Sequence, residues 1–332
     1  MKNSPLAYLA CLAAVAVASV PAVAQPKAGD AAPEFPLGLF ADGKTYQLSD
    51  FKGKAVVLFF YESECPRCKG AIPERNEVVK AFEGKPVKFL AVGASDTLAS
   101  TVNYGRETKL QMPIFADSLG LMESRYGTKL SLQNIWQFRV IGPDGKISGY
   151  SMDKATIERA LEKAAWKYDP KDYDAKLKPA LEAFEWNQWD AGTKLLTPLR
   201  RSPTKAVAES ANKLYAALKT EAEGWKTEAE GLAESDPVKA YDLYSRITAN
   251  FPGEPIAKDV AAAKQKLALN KTVLAEATAR KAYAQLGTAI AGATPAQKAE
   301  VAKQLQAFAK KYPGTPSGEK ASAAAKELEK KD

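Results

Sequence analysis

The sequence predicts two folds in one chain: a mixed α/β sheet with flanking helices, then an all-α helical-repeat region. Three observations carry that prediction. Aromatic residues crowd before about position 190, whereas the remainder is rich in Ala, Lys and Glu. In the first half, short apolar runs alternate with helical patterns, and from about residue 172 onward no strand pattern occurs. The length of 332 residues gives room for about two domains.

Residues 25–36 are rich in Pro and Ala and read as an extended lead-in. Ala41-Asp42-Gly43-Lys44 has the turn chemistry of a hairpin. Leu48-Ser49-Asp50-Phe51-Lys52-Gly53-Lys54 leads into Ala55-Val56-Val57-Leu58-Phe59-Phe60-Tyr61, an unbroken apolar run expected of a central strand covered on both faces. A helical pattern follows from Lys69 to about Phe82, interrupted by Pro73. Val87 to Val92 is a second strand, Leu98 to Thr108 a second helix, Pro113-Ile114-Phe115 a short β segment, and Leu119 to Tyr126 helical. Trp136 to Ile141 and Ile147 to Tyr150 flank Gly142-Pro143-Asp144-Gly145, a hairpin turn. Ala155 to Trp166 closes the α/β unit as a helix, so the unit spans residues 26–165.

Residues 172–328 hold three segments that share a pattern of two helical stretches followed by proline, at Pro203, Pro252 and Pro313. The clearest copy contains Ala240-Tyr241-x-x-Tyr244-x-x-Ile247-x-x-x-Phe251-Pro252-Gly253. A second reads Ala299-x-x-Ala302-x-x-Leu305-x-x-Phe308-x-x-x-Tyr312-Pro313-Gly314, and the first, Ala180 to Pro203, is looser. These resemble tetratricopeptide-type helix hairpins, with small residues where helices touch and aromatics at the seam. The spacing exceeds the usual period of about 34 residues, which implies irregular hairpins joined by long helices. Trp186 and Trp189 read as a seam between repeats.

The N-terminus reads as a secretory signal over residues 1–24. Lys2 supplies the positive end, Leu6 to Val20 the apolar stretch, and Ala22-Val23-Ala24 the small-residue cleavage site. Cys11 falls inside it and is lost on processing. The expected location is periplasmic or secreted, with no membrane span after cleavage.

Processing removes one of 47 basic residues and none of 39 acidic ones, which leaves a net charge of +7. That charge is spread along the chain without a basic run or aromatic-interleaved patch, so nucleic acid is not an expected partner. The chain has no histidine. This excludes a Ser-His-Asp triad, a His-ligated metal and a haem attached at C-x-x-C-H, since Lys69 follows Cys68. Two thiolates are too few for a closed zinc site, and two cysteines cannot frame a chain of this size with disulfides. No cofactor is expected beyond a Cys65–Cys68 disulfide.

Cys65-Pro66-Arg67-Cys68 stands where the buried strand hands over to a helix. The first cysteine then sits at the helix N-terminus, where unpaired N–H groups and the macrodipole favour a thiolate. Arg67 adds a nearby positive charge, and Pro66 removes one N–H and stiffens the loop. Cys65 is expected to be the exposed nucleophile, with Cys68 resolving the mixed disulfide from one turn deeper.

Val56 to Cys68 together with Ile72-Pro73 resembles the exported thioredoxin-like reductases of the TlpA/ResA type. Gly29-Asp30-Ala31-Ala32-Pro33-Glu34-Phe35, Leu48 to Lys54, and Pro143-Asp144-Gly145-Lys146-Ile147 are similar to the same redoxin/AhpC-TSA superfamily. The resemblance covers about residues 26–165. It implies a thioredoxin-like fold and dithiol–disulfide exchange with protein thiols or disulfides, fed by a membrane electron donor. An unidentified protein or peptide is the expected partner of the helical repeats.

The chain departs from the family pattern in three ways. Trp136 stands where the family has the proline that faces the redox pair, and a bulky indole there changes how a partner's backbone docks. The buried acid that helps deprotonate the resolving cysteine is absent from both usual places, here Phe59 and Ala71. Glu62 and Glu64 bring negative charge near Cys65, which opposes thiolate formation; each is either a substitute acid or a solvated loop carboxylate.

Two other readings compete with exchange through the Cys-Pro-Arg-Cys motif. One is a non-enzymatic adaptor that binds its partner through the repeats and keeps Cys65–Cys68 as a structural disulfide. The other is a peroxidase of the peroxiredoxin type, whose P-x-x-x-T-x-x-C positions are occupied here by Leu58, Glu62 and Cys65, with Arg139 offset from the distal arginine position.

Overall fold

The structure, a computed structural model, describes residues 26–330 except Leu132; the signal segment and Cys11 lie outside the described residues. Five strands form one sheet in the order β3-β2-β1-β4-β5: β1 (Ala55–Tyr61), β2 (Val87–Ala94), β3 (Ile114–Asp117), β4 (Trp136–Ile141) and β5 (Ile147–Gly149). β1, β2 and β3 run parallel, and β4 and β5 are antiparallel additions. Every residue of β1 is buried, as its apolar run requires of a central strand. Alternate side chains serve opposite cores: Val57, Phe59 and Tyr61 on one face, Val56, Leu58 and Phe60 on the other.

The first face is covered by α1 (Pro66–Ala81), α2 (Leu98–Thr108) and α4 (Lys154–Leu161). The second is covered by α3 (Leu121–Tyr126) and by the lead-in around Phe35, Phe40 and Phe51. Residues Gly29 to Ala32 exchange backbone hydrogen bonds with Gly145 and Ile147, which covers the β5 edge.

Several sequence expectations need correction. The helix starts at Pro66 rather than Lys69 and runs through Pro73 unbroken. Pro73 lies on the exposed side, where the Lys69 carbonyl that loses its donor can be hydrated. The closing helix ends at Leu161, well short of Trp166. The Asp42-Gly43 turn closes from Phe40 to Lys44, but no second strand follows, and Phe40 bridges Phe115 instead.

The remainder of the described chain is helical: α5 (Lys178–Glu185), α6 (Trp189–Leu199), α7 (Lys205–Leu232), α8 (Pro237–Asn250), α9 (Pro255–Asp259), α10 (Ala261–Ala268), α11 (Lys271–Gly292), α12 (Lys298–Lys311) and α13 (Pro316–Leu328). α5 pairs with α6 and α7 with α8, so Pro203 and Pro252 each follow the second helix of a pair. The third copy differs. α12 pairs with α13, which puts Pro313 inside the hairpin loop.

These helices build two cores rather than one stack, and both rest on the α/β unit. α11 to α13 share a core with Leu119 and Leu121, and Ser118 Oγ donates to the Ile290 carbonyl at 2.7 Å. The other body is pinned by Lys54 Nζ, 2.8 Å from Glu185 Oε2, with both side chains buried. Trp186 is not a seam between repeats. It turns toward the sheet unit and packs edge-on against Phe51 and Trp166, while Trp189 alone packs against Phe184 and Trp225. Lys54 precedes β1 and Cys65 follows it, so this junction lies a strand length, roughly 23 Å at about 3.3 Å per residue, from the cysteine pair.

Candidate active site

β1 ends at Tyr61, and Glu62-Ser63-Glu64 turns the chain into Cys65, the N-cap of α1. Pro66 fills the first helical position, where a missing N–H costs nothing and the ring already holds a helical φ. Cys65 is half-buried, and its carbonyl accepts the Lys69 N–H at 3.2 Å. One turn on, Cys68 is fully buried and its Sγ donates to the Ile135 carbonyl at 3.1 Å. Both are free thiols in the structure. Burial pushes the Cys68 thiol up to about 12; Cys65 and Glu62 push the same way, and a backbone hydrogen bond at Glu62 opposes them. The two sulfurs therefore have different chemistry: one is reachable at the helix start, the other dry and held protonated.

The remaining residues named from sequence fall around this pair. Pro66, Arg67, Glu62 and Glu64 are exposed, so the two glutamates sit as solvated loop carboxylates. Trp136 opens β4 directly opposite Tyr61 and packs in the same cluster as Cys65, Cys68 and Ile135. The Arg75 guanidinium of α1 lies 5.4 Å from the Trp136 ring centre. Beyond the indole, Lys27, Asn134, Gln137 and Tyr150 help line an open groove of about 590 Å³.

Phe59 is buried in the core and stacks on Phe138 at 5.5 Å, and Ala71 is half-buried on α1, so neither usual position holds an acid. Sequence reasoning missed the acid that is present. Asp96, just past β2, is buried, and Ser63 Oγ donates to its Oδ1 at 2.5 Å. Burial raises its carboxyl to about 6; the Ser63 hydrogen bonds lower it, while Glu64 and Glu62 add to the rise. Tyr61 and Tyr104, stacked with ring centres 4.2 Å apart, complete the cluster behind Cys68. The available signal was Gly93 near the end of β2, since glycine within a strand marks close approach by another group.

Arg139 does not reach the cysteines. It belongs to the opposite sheet face, and its guanidinium donates to the carbonyls of Tyr126, Phe138 and Gly127. Among the described residues, no group of three or more His, Cys, Asp or Glu side chains is placed to hold a metal ion, and no helix is long and apolar enough to cross a membrane.

Residues 28–149 match the AhpC/TSA family. Over 121 residues the chain is 32% identical to thiol-disulfide oxidoreductase ResA of Bacillus thuringiensis subsp. konkukian, covering 36% of this chain and 68% of that protein. The chain belongs to the ResA family of thiol-disulfide oxidoreductases. ResA of Oceanobacillus iheyensis is 30% identical over 136 residues, covering 40% of this chain and 69% of its own. Among solved structures, the thioredoxin domain of a thiol-disulfide oxidoreductase from Bacteroides vulgatus is similar at 21% identity, covering 41% of this chain and 96% of that one, with a TM-score of 0.35. The AhpC/TSA match ends at residue 149, so the helices from α5 onward lie outside it.

Proposed function

We propose that this ResA-family protein is an exported oxidoreductase that exchanges dithiol for disulfide with protein partners through Cys65 and Cys68. The observation that carries the reading is the asymmetry of the pair: Cys65 half-exposed as the cap of α1, Cys68 buried one turn behind it. In the reducing direction the Cys65 thiolate attacks a partner disulfide, a mixed disulfide forms, and Cys68 then displaces the partner's sulfur. Pro66 and Arg67 set the helix start and local charge, Glu62 and Glu64 temper it, and Trp136 shapes the surface on which a partner lies. A membrane donor returns the pair to the dithiol state, and no cofactor takes part. The helical region docks a protein or peptide, as tetratricopeptide-like repeats do, at a distance from the cysteines. Arg139, committed to three carbonyls on the far sheet face, weighs against a peroxidase.

The test is trapping. Cys68→Ser is expected to accumulate mixed disulfides through Cys65 in the compartment to which the chain is exported, and Cys65→Ser to accumulate none. Equilibration of the native pair against thiol buffers should give a reversible couple between about −120 and −270 mV. A pair that resists reduction below about −300 mV marks a structural disulfide and moves the function to the helices.

A further inference from the structure

In the described fold, Cys68 has no acid at either position where the family carries one, yet resolution needs its thiolate. The region behind it is not apolar throughout. Three atoms there are buried without a hydrogen-bond partner: the Tyr61 hydroxyl, the Tyr104 hydroxyl and Asp96 Oδ2. All three face the sheet side that holds Cys68. Tyr61 and Tyr104 share its apolar cluster, and Gly93, the β2 residue in register with Tyr61, lies beneath the Asp96 carboxylate. A Cβ at Gly93 would stand 2.7 Å from Asp96 Oδ2, so only glycine lets the carboxylate fold back there. The left-handed Ser95, with φ of 57°, makes that reversal, and Ser63 Oγ fixes the other carboxylate oxygen. Electrostatically, Asp96 and Cys68 each act on both tyrosine hydroxyls, raising them further above burial's own effect. Buried polar atoms left without a partner on one face of the sheet are groups that a bridging water satisfies.

We propose that Asp96 is the proton acceptor for Cys68, acting through the Tyr61 and Tyr104 hydroxyls and water between them. It is a positioning residue, since it reaches the sulfur only through that relay, and the proposal rests on the exchange reading above. In the resolving step the Cys68 S–H bond breaks and its proton passes through the relay to Asp96. The Cys68 sulfur pair forms the Cys65–Cys68 bond. The bond from Cys65 to the partner breaks, and the partner's sulfur leaves with that electron pair and takes a proton from water. The two cysteines are oxidised and the partner reduced. A buried carboxylate raised to about 6 is largely ionised at pH 7 and well matched to this task. Glu64 and Glu62 of the turn act on Asp96 directly, and Asp96 acts on Tyr61 of β1 and Tyr104 of α2; Cys68 acts on the same two hydroxyls, and Cys65 on that of Tyr104.

The experiment is stopped-flow release of thionitrobenzoate from reduced mature protein mixed with Ellman's disulfide, from pH 5 to 9. Formation of the mixed disulfide and its resolution are two separate phases. In native protein the second phase should rise with a midpoint near pH 6. Asp96→Asn should lose that midpoint and resolve about tenfold or more slowly at pH 7, with the first phase unchanged. Asp96→Glu should restore part of the rate. Tyr104→Phe, which keeps the stack, and Gly93→Ala, which displaces the carboxylate, should each slow the second phase alone. An Asp96→Asn profile that overlays the native one, in a protein with native circular dichroism, overturns the proposal. A native protein with no second phase at all overturns the exchange reading instead.

Discussion

The depth of Cys68 makes a quantitative demand on thiol reactivity. Iodoacetamide reacts with thiolates, so labelling depends on thiolate fraction and on access. The Cys68 thiol is pushed up to about 12 from an ordinary 9.0, which lowers its thiolate fraction about a thousandfold near neutral pH. It is also 0% exposed and donates to the Ile135 carbonyl, so reaction waits on local opening. Cys65 is only half-buried, so it is the more accessible of the two sulfurs. In the reduced native protein at pH 7.5, Cys68 should therefore label about a thousandfold more slowly than it does in the unfolded chain, and far more slowly than the more exposed Cys65. The single-cysteine variants Cys68→Ser and Cys65→Ser separate the two rates, read as mass gain against time after acid quenching. In 8 M urea the rates should converge, which provides the control. Native rates within tenfold of one another would refute the argument that burial divides the two sulfurs into nucleophile and resolver.

Other outcomes follow from the same structure. Lys54→Met leaves the Glu185 carboxylate buried and unpaired and should cost about 3–5 kcal/mol in urea unfolding; the double variant Lys54→Met/Glu185→Leu should recover most of it, less the Tyr168 N–H that Glu185 also holds. Gly318→Ala places a Cβ 2.1 Å from the Tyr312 carbonyl oxygen, so it should destabilise the α12–α13 hairpin by on the order of 2 kcal/mol despite alanine's better helix propensity, measured as a lowered thermal midpoint. Asp96 has a folded value near 6 against an ordinary 3.8, so its protonated form favours folding. Stability it contributes below about pH 4 is lost as pH rises through 6, by up to about 3 kcal/mol. Asp96→Asn should flatten the corresponding fall in urea midpoint between pH 4.5 and 7.

Local chemistry explains which features were legible in sequence. The run from Ala55 to Tyr61 could only be a doubly covered strand, and the handover from that strand to a helix at Cys65–Cys68 was legible, though the helix opens at Pro66, three residues before the Lys69 read from sequence. Leu98–Thr108 and the Gly142–Gly145 turn also read true, because periodicity and turn residues act within a few positions. The interruption assigned to Pro73 did not occur, since propensity yields when the lost hydrogen bond faces water.

By itself, the sequence determined a buried strand ending at a Cys-Pro-Arg-Cys helix start, and helices without strands beyond residue 172. It also determined the absence of histidine chemistry. Only the tertiary structure decided which residues meet across the fold. Asp96 is 28 positions from Cys68 in sequence, yet the parallel pairing of β1 with β2 sets Gly93 beside Tyr61 and brings the carboxylate behind the thiol. Trp186 and Trp189 share one helical spacing, but the turn between α5 and α6 sends the first to the sheet and the second to the helices. Proximity of this kind arises from chain closure and shared burial, and the spacing of residues along a chain does not encode it.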